Sequence, residues 1–172
     1  EEWTRVINGA GCNYAQFTAD LLNVSLPHEI IVEQSKRIKD ACQKYEIEVS
    51  STFTGAFTRV NHLAHPDASI RAYWIEWFKR FVDLSMDLGS KQIGSHFGIF
   101  TSKDNNDPSR RKERLQQNIA AWHVIGDTAQ PERRVEFITE NPETIKRLVK
   151  DAQWETLEER LRTYVENYSF RV

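Results

Sequence analysis

Two side chains that could carry chemistry follow predicted β-strands in this sequence, His96 and Glu140. His96 lies between Gly94 and Gly98, and such flanking glycines let a ligand or a neighbouring backbone segment approach closely. A neutral imidazole in that place can bind a divalent metal or hydrogen-bond a substrate hydroxyl. The alternative interpretation is a structural histidine whose ring is satisfied by nearby backbone groups.

Glu140 follows an apolar stretch and precedes Asn141 and Pro142, which end that stretch. A carboxylate there can hold a metal ion or remove a proton from a carbon next to a carbonyl group. It can equally be a charge at the start of a helix. The hypothesis is that Glu140 and His96 are both catalytic residues and both metal ligands.

Further polar side chains follow the second predicted strand, and we predict that Thr54, Arg59 and His62 bind the substrate. Arg59 suits a phosphate or a carboxylate group, although a surface salt bridge is the simpler alternative. His62 and His65 have the i, i+3 spacing of a zinc-binding pair, which by itself is a weak signal. His65 precedes Pro66 and can instead shape the start of a helix.

Four apolar, β-rich stretches are each followed by a stretch with helical periodicity. The predicted strands are residues 13–18, 46–53, 91–96 and 134–139. The last three begin about 44 residues apart, a regular repeat of strand and helix. Such a repeat predicts parallel strands joined by right-handed crossovers.

Capping residues mark the helices between these strands. The second helix is predicted to begin after Asp67 and to end at Gly89, with a broad aromatic stripe that we interpret as core packing. Residues 101–106 are predicted to be a polar loop, and Asp107 with Pro108 begins the next helix. Residues 143–172 are predicted to form an amphipathic C-terminal helical segment.

The fold class that fits these elements is α/β, of the parallel β/α-barrel type. No glycine-rich phosphate loop follows any predicted strand, which disfavours a nucleotide-binding sheet. Polar residues instead cluster after the strands, where barrels place their active sites. The predicted domains are a partial barrel of about four βα units, residues 1–142, and the helical segment, residues 143–172.

Four parallel strands cannot close a barrel, so two strand edges and an apolar interior need cover. The cover can come from a second copy in a homo-oligomer, from the C-terminal helices or from further residues of a larger protein. The sequence begins with Glu1 rather than Met. We therefore expect residues upstream of it.

Composition narrows the classes of partner. The 172 residues carry a formal net charge of −2, so bulk electrostatics do not indicate a nucleic acid or a membrane surface. The sequence has no apolar run long enough for a membrane span. Cys12 and Cys42 lack metal-binding spacing, and we expect both to be reduced thiols of a cytoplasmic protein.

Three segments together resemble the sugar phosphate isomerase/epimerase family, the xylose isomerase-like barrels. They are residues 50–57, 61–67 and 88–98, and the similarity runs from about residue 2 to residue 142 and covers barrel strands two to five. The resemblance implies a barrel that binds manganese or magnesium in its mouth. It also implies that two acidic residues move a proton through an enediolate, which interconverts ketoses and aldoses or inverts a carbon next to a ketone.

By this resemblance Glu140, or Asn141 if the register differs by one residue, matches the first metal-binding glutamate of the family. His96 matches a position at the end of the fourth barrel strand that faces substrate or metal. The sequence departs from the family pattern, because the aspartate, the histidine and the second glutamate of the metal site have no counterpart. The second acid of the proton relay also has no assigned source.

The first hypothesis is therefore a divalent-metal-assisted isomerase or epimerase of a small sugar or sugar phosphate. The alternative is a non-catalytic half-barrel that binds a ligand or self-associates, which would account for the incomplete site. A third reading is a metal-dependent nuclease of the endonuclease IV type. The lack of a basic stripe disfavours that reading.

Overall fold

Four parallel strands with helices between them form the frame of this chain. The computed structural model describes residues 1–55 and 62–128 and the backbone of Glu136–Phe137, all within the compact unit Glu1–Ile138. The elements in chain order are α1 (Glu2–Gly9), β1 (Tyr14–Thr18), α2 (His28–Lys44), β2 (Glu48–Phe53), α3 (Ala68–Asp87), β3 (Gln92–Gly94), α4 (Ser102–Asn105), α5 (Pro108–Gly126) and β4 (Glu136–Phe137). The predicted helical segment 143–172 and the domain boundary before it lie outside the described residues.

The sheet has the strand order β1-β2-β3-β4, and each neighbouring pair is parallel. Each strand thus lies beside its successor in the sequence, as in a barrel wall, whereas a doubly wound sheet reverses its order partway. A register shift between Ala15 and Gln16 interrupts the β1–β2 ladder. The predicted parallel β/α architecture is confirmed.

The strand register assigns residues to the two faces of the sheet. Phe17 pairs with Thr52, and Thr52 pairs with Ile93, so these three side chains share one face. Each is at most 2% exposed. The Thr52 and Ser85 hydroxyls are 2.8 Å apart, and Ser85 belongs to α3. This face therefore packs against the helices.

The opposite face carries the neighbours of those residues along each strand. Thr18 pairs with Phe53, and Phe53 pairs with Gly94. Because side chains alternate along a strand, these residues point away from the helices. In a parallel β/α barrel that is the interior face, which leads to the catalytic mouth.

The helix-facing core is built around the aromatic residues of α3. Trp77, Phe78 and Phe81 are each 1% exposed, and the rings of Trp77 and Phe81 stack with centroids 5.4 Å apart. The Asp67 side chain accepts from the Ser69 N–H and caps this helix, and Gly89 follows it with φ +85°. The core interpretation of the aromatic stripe is confirmed for these three residues, whereas Tyr73 is 49% exposed. Both predicted helix ends are confirmed.

Two short helices were not predicted. The sequence pattern assigns no element before residue 13, yet α1 spans Glu2–Gly9, with Thr4 buried. The predicted polar loop at 101–106 is wrong, because α4 occupies most of it. A capping box explains α4, since Thr101 and Asp104 each accept a hydrogen bond from the other's backbone N–H.

The third strand is shorter than predicted. It ends at Gly94, two residues before His96. The Thr54 N–H donates to the Gly94 carbonyl over 3.1 Å, and side-chain hydrogen bonds hold the chain beyond that point. None of the helices in the described part of the chain combines the length and apolarity needed to cross a membrane.

Candidate active site

The carboxyl ends of β1, β2 and β3 meet at one edge of the sheet because the strands are parallel and in register. The chain leaves β1 towards Asp20, β2 towards Thr54 and Gly55, and β3 towards His96. In parallel β/α folds this edge is where ligands bind. The predicted site residues Thr54 and His96 both lie there.

His96 lies against the ring of Phe53. The two ring centroids are 5.5 Å apart and the ring planes are 68° apart, an edge-to-face contact. A Cβ atom on Gly94 would lie 2.7 Å from Phe53 Cδ2. Glycine at position 94 therefore lets the Phe53 ring cover the end of β3, and the half-buried His96 packs on that ring.

Hydrogen bonds run from β2 to the backbone of His96. The Thr54 hydroxyl donates to Ser95 Oγ over 2.9 Å, and Ser95 Oγ–H donates to the His96 carbonyl over 3.1 Å. Thr54 itself is 0% exposed. Among these described contacts, Thr54 serves to fix the segment that carries His96.

The next carbonyl along the chain, that of Phe97, is held from α5. Trp122 Nε1–H donates to it over 3.1 Å, and Asn118 Nδ2–H donates to it over 3.4 Å. Asn118 is 0% exposed. The sequence did not single out Asn118, because an asparagine in an amphipathic helix ordinarily faces solvent.

His62 is wholly buried. Its Nδ1 accepts from the Leu63 N–H over 2.6 Å. The ring packs against Phe78 and Trp74, with centroids 5.3 and 5.8 Å away. Direct contact with a substrate would require the exposure of His62 to increase on binding.

The two histidines of the i, i+3 pair each accept a hydrogen bond from a backbone N–H. His65 Nδ1 accepts from the Asp67 N–H over 3.0 Å, as His62 Nδ1 accepts from Leu63. Both rings thus shape the turn that leads into α3. The parts of the chain that the structure describes contain no group of three or more His, Cys, Asp or Glu side chains able to hold a metal.

Asp20 brings a carboxylate to this edge that the sequence pattern did not single out. A Cβ atom on Gly55 would lie 2.5 Å from Asp20 Oδ2, and Gly55 has φ +79°. The carboxylate therefore lies over the backbone where the chain leaves β2. The available signal was an acidic residue two positions beyond the end of a strand.

A buried carboxylate fixes α4 against the first turns of α5. Asp104 is 0% exposed, and it accepts from the Thr101 hydroxyl over 2.5 Å and from Arg110 Nη2 over 3.0 Å. Arg114 Nε lies 3.7 Å from Asp104 Oδ1. The hydrogen bond from Thr101, followed by that from Arg110, holds the pKa of the Asp104 carboxyl below its usual range.

Arg59 and Glu140 lie outside the described residues, as does Asn141. Their predicted roles therefore stay predictions. β4 is the strand that precedes Glu140 in the sequence, and it pairs in parallel with β3 through Gln92–Glu136 and Ile93–Phe137.

Comparison with known proteins agrees with the fold. A family model described as xylose isomerase-like TIM barrel matches residues 5–165. The D-erythrulose 1-phosphate 3-epimerase of Brucella abortus (strain 2308) is 38% identical over 114 residues, which are 66% of this chain and 37% of that protein. This chain therefore spans well under half the length of that relative.

Solved structures show the same fold. A Rhodospirillum rubrum protein provisionally named a xylose isomerase matches with a TM-score of 0.68 and 24% identity, over 77% of this chain and 45% of that chain. A D-psicose 3-epimerase, determined in the presence of D-fructose, matches with a TM-score of 0.60 and 15% identity, over 79% and 44%. At these identities the structures establish the fold alone, and they agree with the family resemblance seen in the sequence.

Proposed function

The chain belongs to the xylose isomerase-like TIM barrel family, and we propose from that membership that the protein is a sugar epimerase. The proposed reaction inverts the carbon next to the ketone, C3, of a small ketose or ketose 1-phosphate. The observation that carries the proposal is the 38% identity, over 114 residues, to a protein named D-erythrulose 1-phosphate 3-epimerase. The parallel strand ends supply the edge at which such a site is built.

The reaction needs proton transfer only. A carboxylate removes the C3 proton, which the adjacent ketone makes acidic, and the electron pair forms an enediolate. A proton delivered to C3 from the opposite face inverts the centre, and no net oxidation occurs. Glu140 is proposed as one of the two acid–base groups, since it follows the strand that pairs with β3.

His96 is proposed to contact the substrate and, with Glu140, to hold a divalent ion, manganese or magnesium. When bound, such an ion stabilises negative charge on the enediolate oxygens. In the described residues His96 is the one proposed ligand, which is too few for a metal site. The proton transfers are assigned to protein groups.

Three further residues are proposed to bind the substrate. Arg59 suits the phosphate of a ketose 1-phosphate because its planar guanidinium can donate two parallel hydrogen bonds to it. Thr54 and His62 are proposed to line the same edge. Both side chains have 0% exposure, so substitution is the test of their contribution to substrate binding.

Exchange of the C3 proton with solvent tests the proposal. The full-length protein is incubated in D₂O with D-erythrulose 1-phosphate, and separately with the free ketose. NMR follows C3 deuteration, and polarimetry follows inversion, because C3 is the single stereocentre of this ketose and the product is its enantiomer. We expect both signals in the presence of Mn²⁺, and a loss of at least about 100-fold in Glu140→Gln and in His96→Ala. Glu48→Gln and His123→Ala, exposed residues outside this edge, are the matched controls.

Two results would contradict the proposal. The first is full activity in both Glu140→Gln and His96→Ala. The second is the absence of exchange with either substrate in the wild-type protein, together with binding of the ketose phosphate. That second result would favour the non-catalytic half-barrel instead.

A cytoplasmic location and self-association are also proposed. Cys12 and Cys42 are both free thiols, as expected in a reducing compartment. In the four-stranded sheet of the described residues, β1 has a neighbour on one side only, and Tyr14 on this strand is 66% exposed. Light scattering on the full-length protein measures its oligomeric state, and a monomeric mass would contradict the homo-oligomer.

A further inference from the structure

The carbonyl of Phe97 receives two side-chain donors from a single helix. Trp122 Nε1 is 3.1 Å away and Asn118 Nδ2 is 3.4 Å away. They are four residues apart on α5 and so lie on the same face of it. Phe97 lies beyond the last residue of β3, where the backbone hydrogen bonds of the sheet have ended. Its carbonyl therefore accepts from side chains instead of from a neighbouring strand.

The burial of the Asn118 amide is energetically unfavourable. Burying an amide costs about 1–3 kcal/mol unless it is hydrogen-bonded, and Asn118 is 0% exposed. Within the described residues, Nδ2 donates to the Phe97 carbonyl and Oδ1 has no hydrogen-bond partner. The hydrogen bond to the Phe97 carbonyl is therefore the described contact that offsets part of this burial cost.

Gly98 lies against the side-chain amide of Asn118. Its φ is +148°, and a Cβ atom built there would collide with Asn118 Nδ2. The backbone just after His96 therefore closes over Asn118, which only glycine allows. Gly98 and Asn118, 20 positions apart in the sequence, are thus in close contact beside the segment that carries His96.

We infer that Asn118 is a positioning residue for His96. It fixes the Phe97 carbonyl from α5, while Ser95 Oγ fixes the His96 carbonyl from the strand side. The imidazole is then held against Phe53 with its ring already oriented. This inference rests on the proposed function, because it assigns a purpose to the orientation of His96.

Trp122 is a poorer probe of this role, because its ring also packs on Phe78 with centroids 5.0 Å apart. Asn118→Ala removes the donor and keeps the helix. Gly98→Ala disturbs the same contact from the loop. The matched control is Gln116→Ala, an exposed amide two residues away on the same helix.

A double-mutant cycle separates positioning from stability. In the full-length protein, Asn118→Ala and Gly98→Ala should each lower kcat/KM for C3 exchange about tenfold per folded molecule, and Gln116→Ala should stay within twofold. In a His96→Ala background, Asn118→Ala should cause less than a twofold further loss, because its effect passes through His96. Asn118→Ser, a smaller change, replaces Asn118→Ala if that variant does not fold.

The inference is overturned if Asn118→Ala lowers only the melting temperature, or if its effect is undiminished in the His96→Ala background.

A second readout does not need turnover. NMR of the His96 ring, labelled at Cε1, should show a changed chemical shift in Asn118→Ala but not in Gln116→Ala. An inactive wild-type protein would refute the epimerase, whereas an unchanged His96 resonance would refute the positioning role.

Discussion

The imidazole of His96 and the ring of Phe53 meet edge to face across the ends of two neighbouring strands, with their centroids 5.5 Å apart. Gly94 makes this contact possible, because a Cβ atom there would lie 2.7 Å from Phe53 Cδ2. The orientation of the candidate catalytic histidine thus depends on the absence of a methyl group two residues earlier. That dependence can be measured.

Gly94→Ala should displace the Phe53 ring and with it His96. We expect a loss of about 1–3 kcal/mol in the free energy of unfolding, as for overpacking in a core. We also expect kcat to fall by a larger factor than the affinity for substrate. Gly9→Ala is the control, since nothing lies within 4 Å of a Cβ atom at that helix end. Urea unfolding and C3 exchange rates measure the two effects, and unchanged kcat in Gly94→Ala would contradict the role given to Phe53.

Asp20→Asn should weaken substrate binding with little effect on folding. The carboxylate lies over Gly55 at the strand-end edge, where it can accept hydrogen bonds from substrate hydroxyls, and asparagine keeps its shape while removing its charge. We expect KM to rise about tenfold, near 1.4 kcal/mol, with a melting temperature within 2 °C or so of wild type.

Asp40→Asn is the matched control for Asp20→Asn. Asp40 is exposed on α2 and pairs with Lys36 over 2.6 Å. Its substitution therefore removes one negative charge, as Asp20→Asn does, but outside the candidate site. Equal KM values for the two variants and the wild-type protein would remove Asp20 from the site. A fall in kcat alone would instead indicate that Asp20 takes part in proton transfer.

The strand order and the edge at which the candidate site lies could be predicted from sequence, because both follow from the regular repeat of strand and helix. His96 and Thr54 were placed at this edge in this way, as polar residues just beyond buried strands, and their roles stay predictions. Asn118 could not be found, since its burial depends on the path of the chain at Gly98 rather than on any local pattern. The end of β3 was also misplaced, because no local signal in residues 94–96 marks where the ladder hydrogen bonds stop.

Helix α4 was missed for a different reason. Its four residues, Ser102–Asn105, are too few to show a helical period, and they are polar. Its stability comes from the capping box and from the buried carboxylate of Asp104, which Arg110 contacts from the next helix. The Thr101-to-Asp104 spacing of the capping box is a local signal that the sequence offered, whereas the burial of Asp104 and its contact with Arg110 are not visible in local sequence.

Asp104→Asn should destabilise the protein at neutral pH and reduce its sensitivity to acid. The hydrogen bond from Thr101, and then that from Arg110, lowers the pKa of Asp104 in the folded protein below its usual value of 3.8. The ionised carboxylate therefore contributes stability above the pKa of the unfolded chain, and that contribution is lost as the pH falls through the folded-state pKa.

The expected change at pH 7 is a melting temperature about 3–6 °C lower, the size for one hydrogen-bonded buried charge in a chain of this length. Below about pH 4 the wild-type and variant curves should converge. Asp127→Asn, at the exposed end of α5, is the control. Parallel curves for wild type and Asp104→Asn across the acid range would show that Asp104 is not the group responsible.

Cys42 should react far more slowly with thiol reagents than Cys12. Cys42 is 8% exposed and lines a cavity of about 290 Å³ with Ile38, Ile47 and Leu88, and burial raises the pKa of its thiol. Less thiolate and less access both slow the reaction, whereas Cys12 is exposed. Intact mass after brief treatment with iodoacetamide should therefore show one addition, which Cys12→Ser abolishes and Cys42→Ser leaves in place. A single addition that survives Cys12→Ser would mean that solvent reaches Cys42 through this cavity and that the packing between α2 and β2 is looser than the structure indicates.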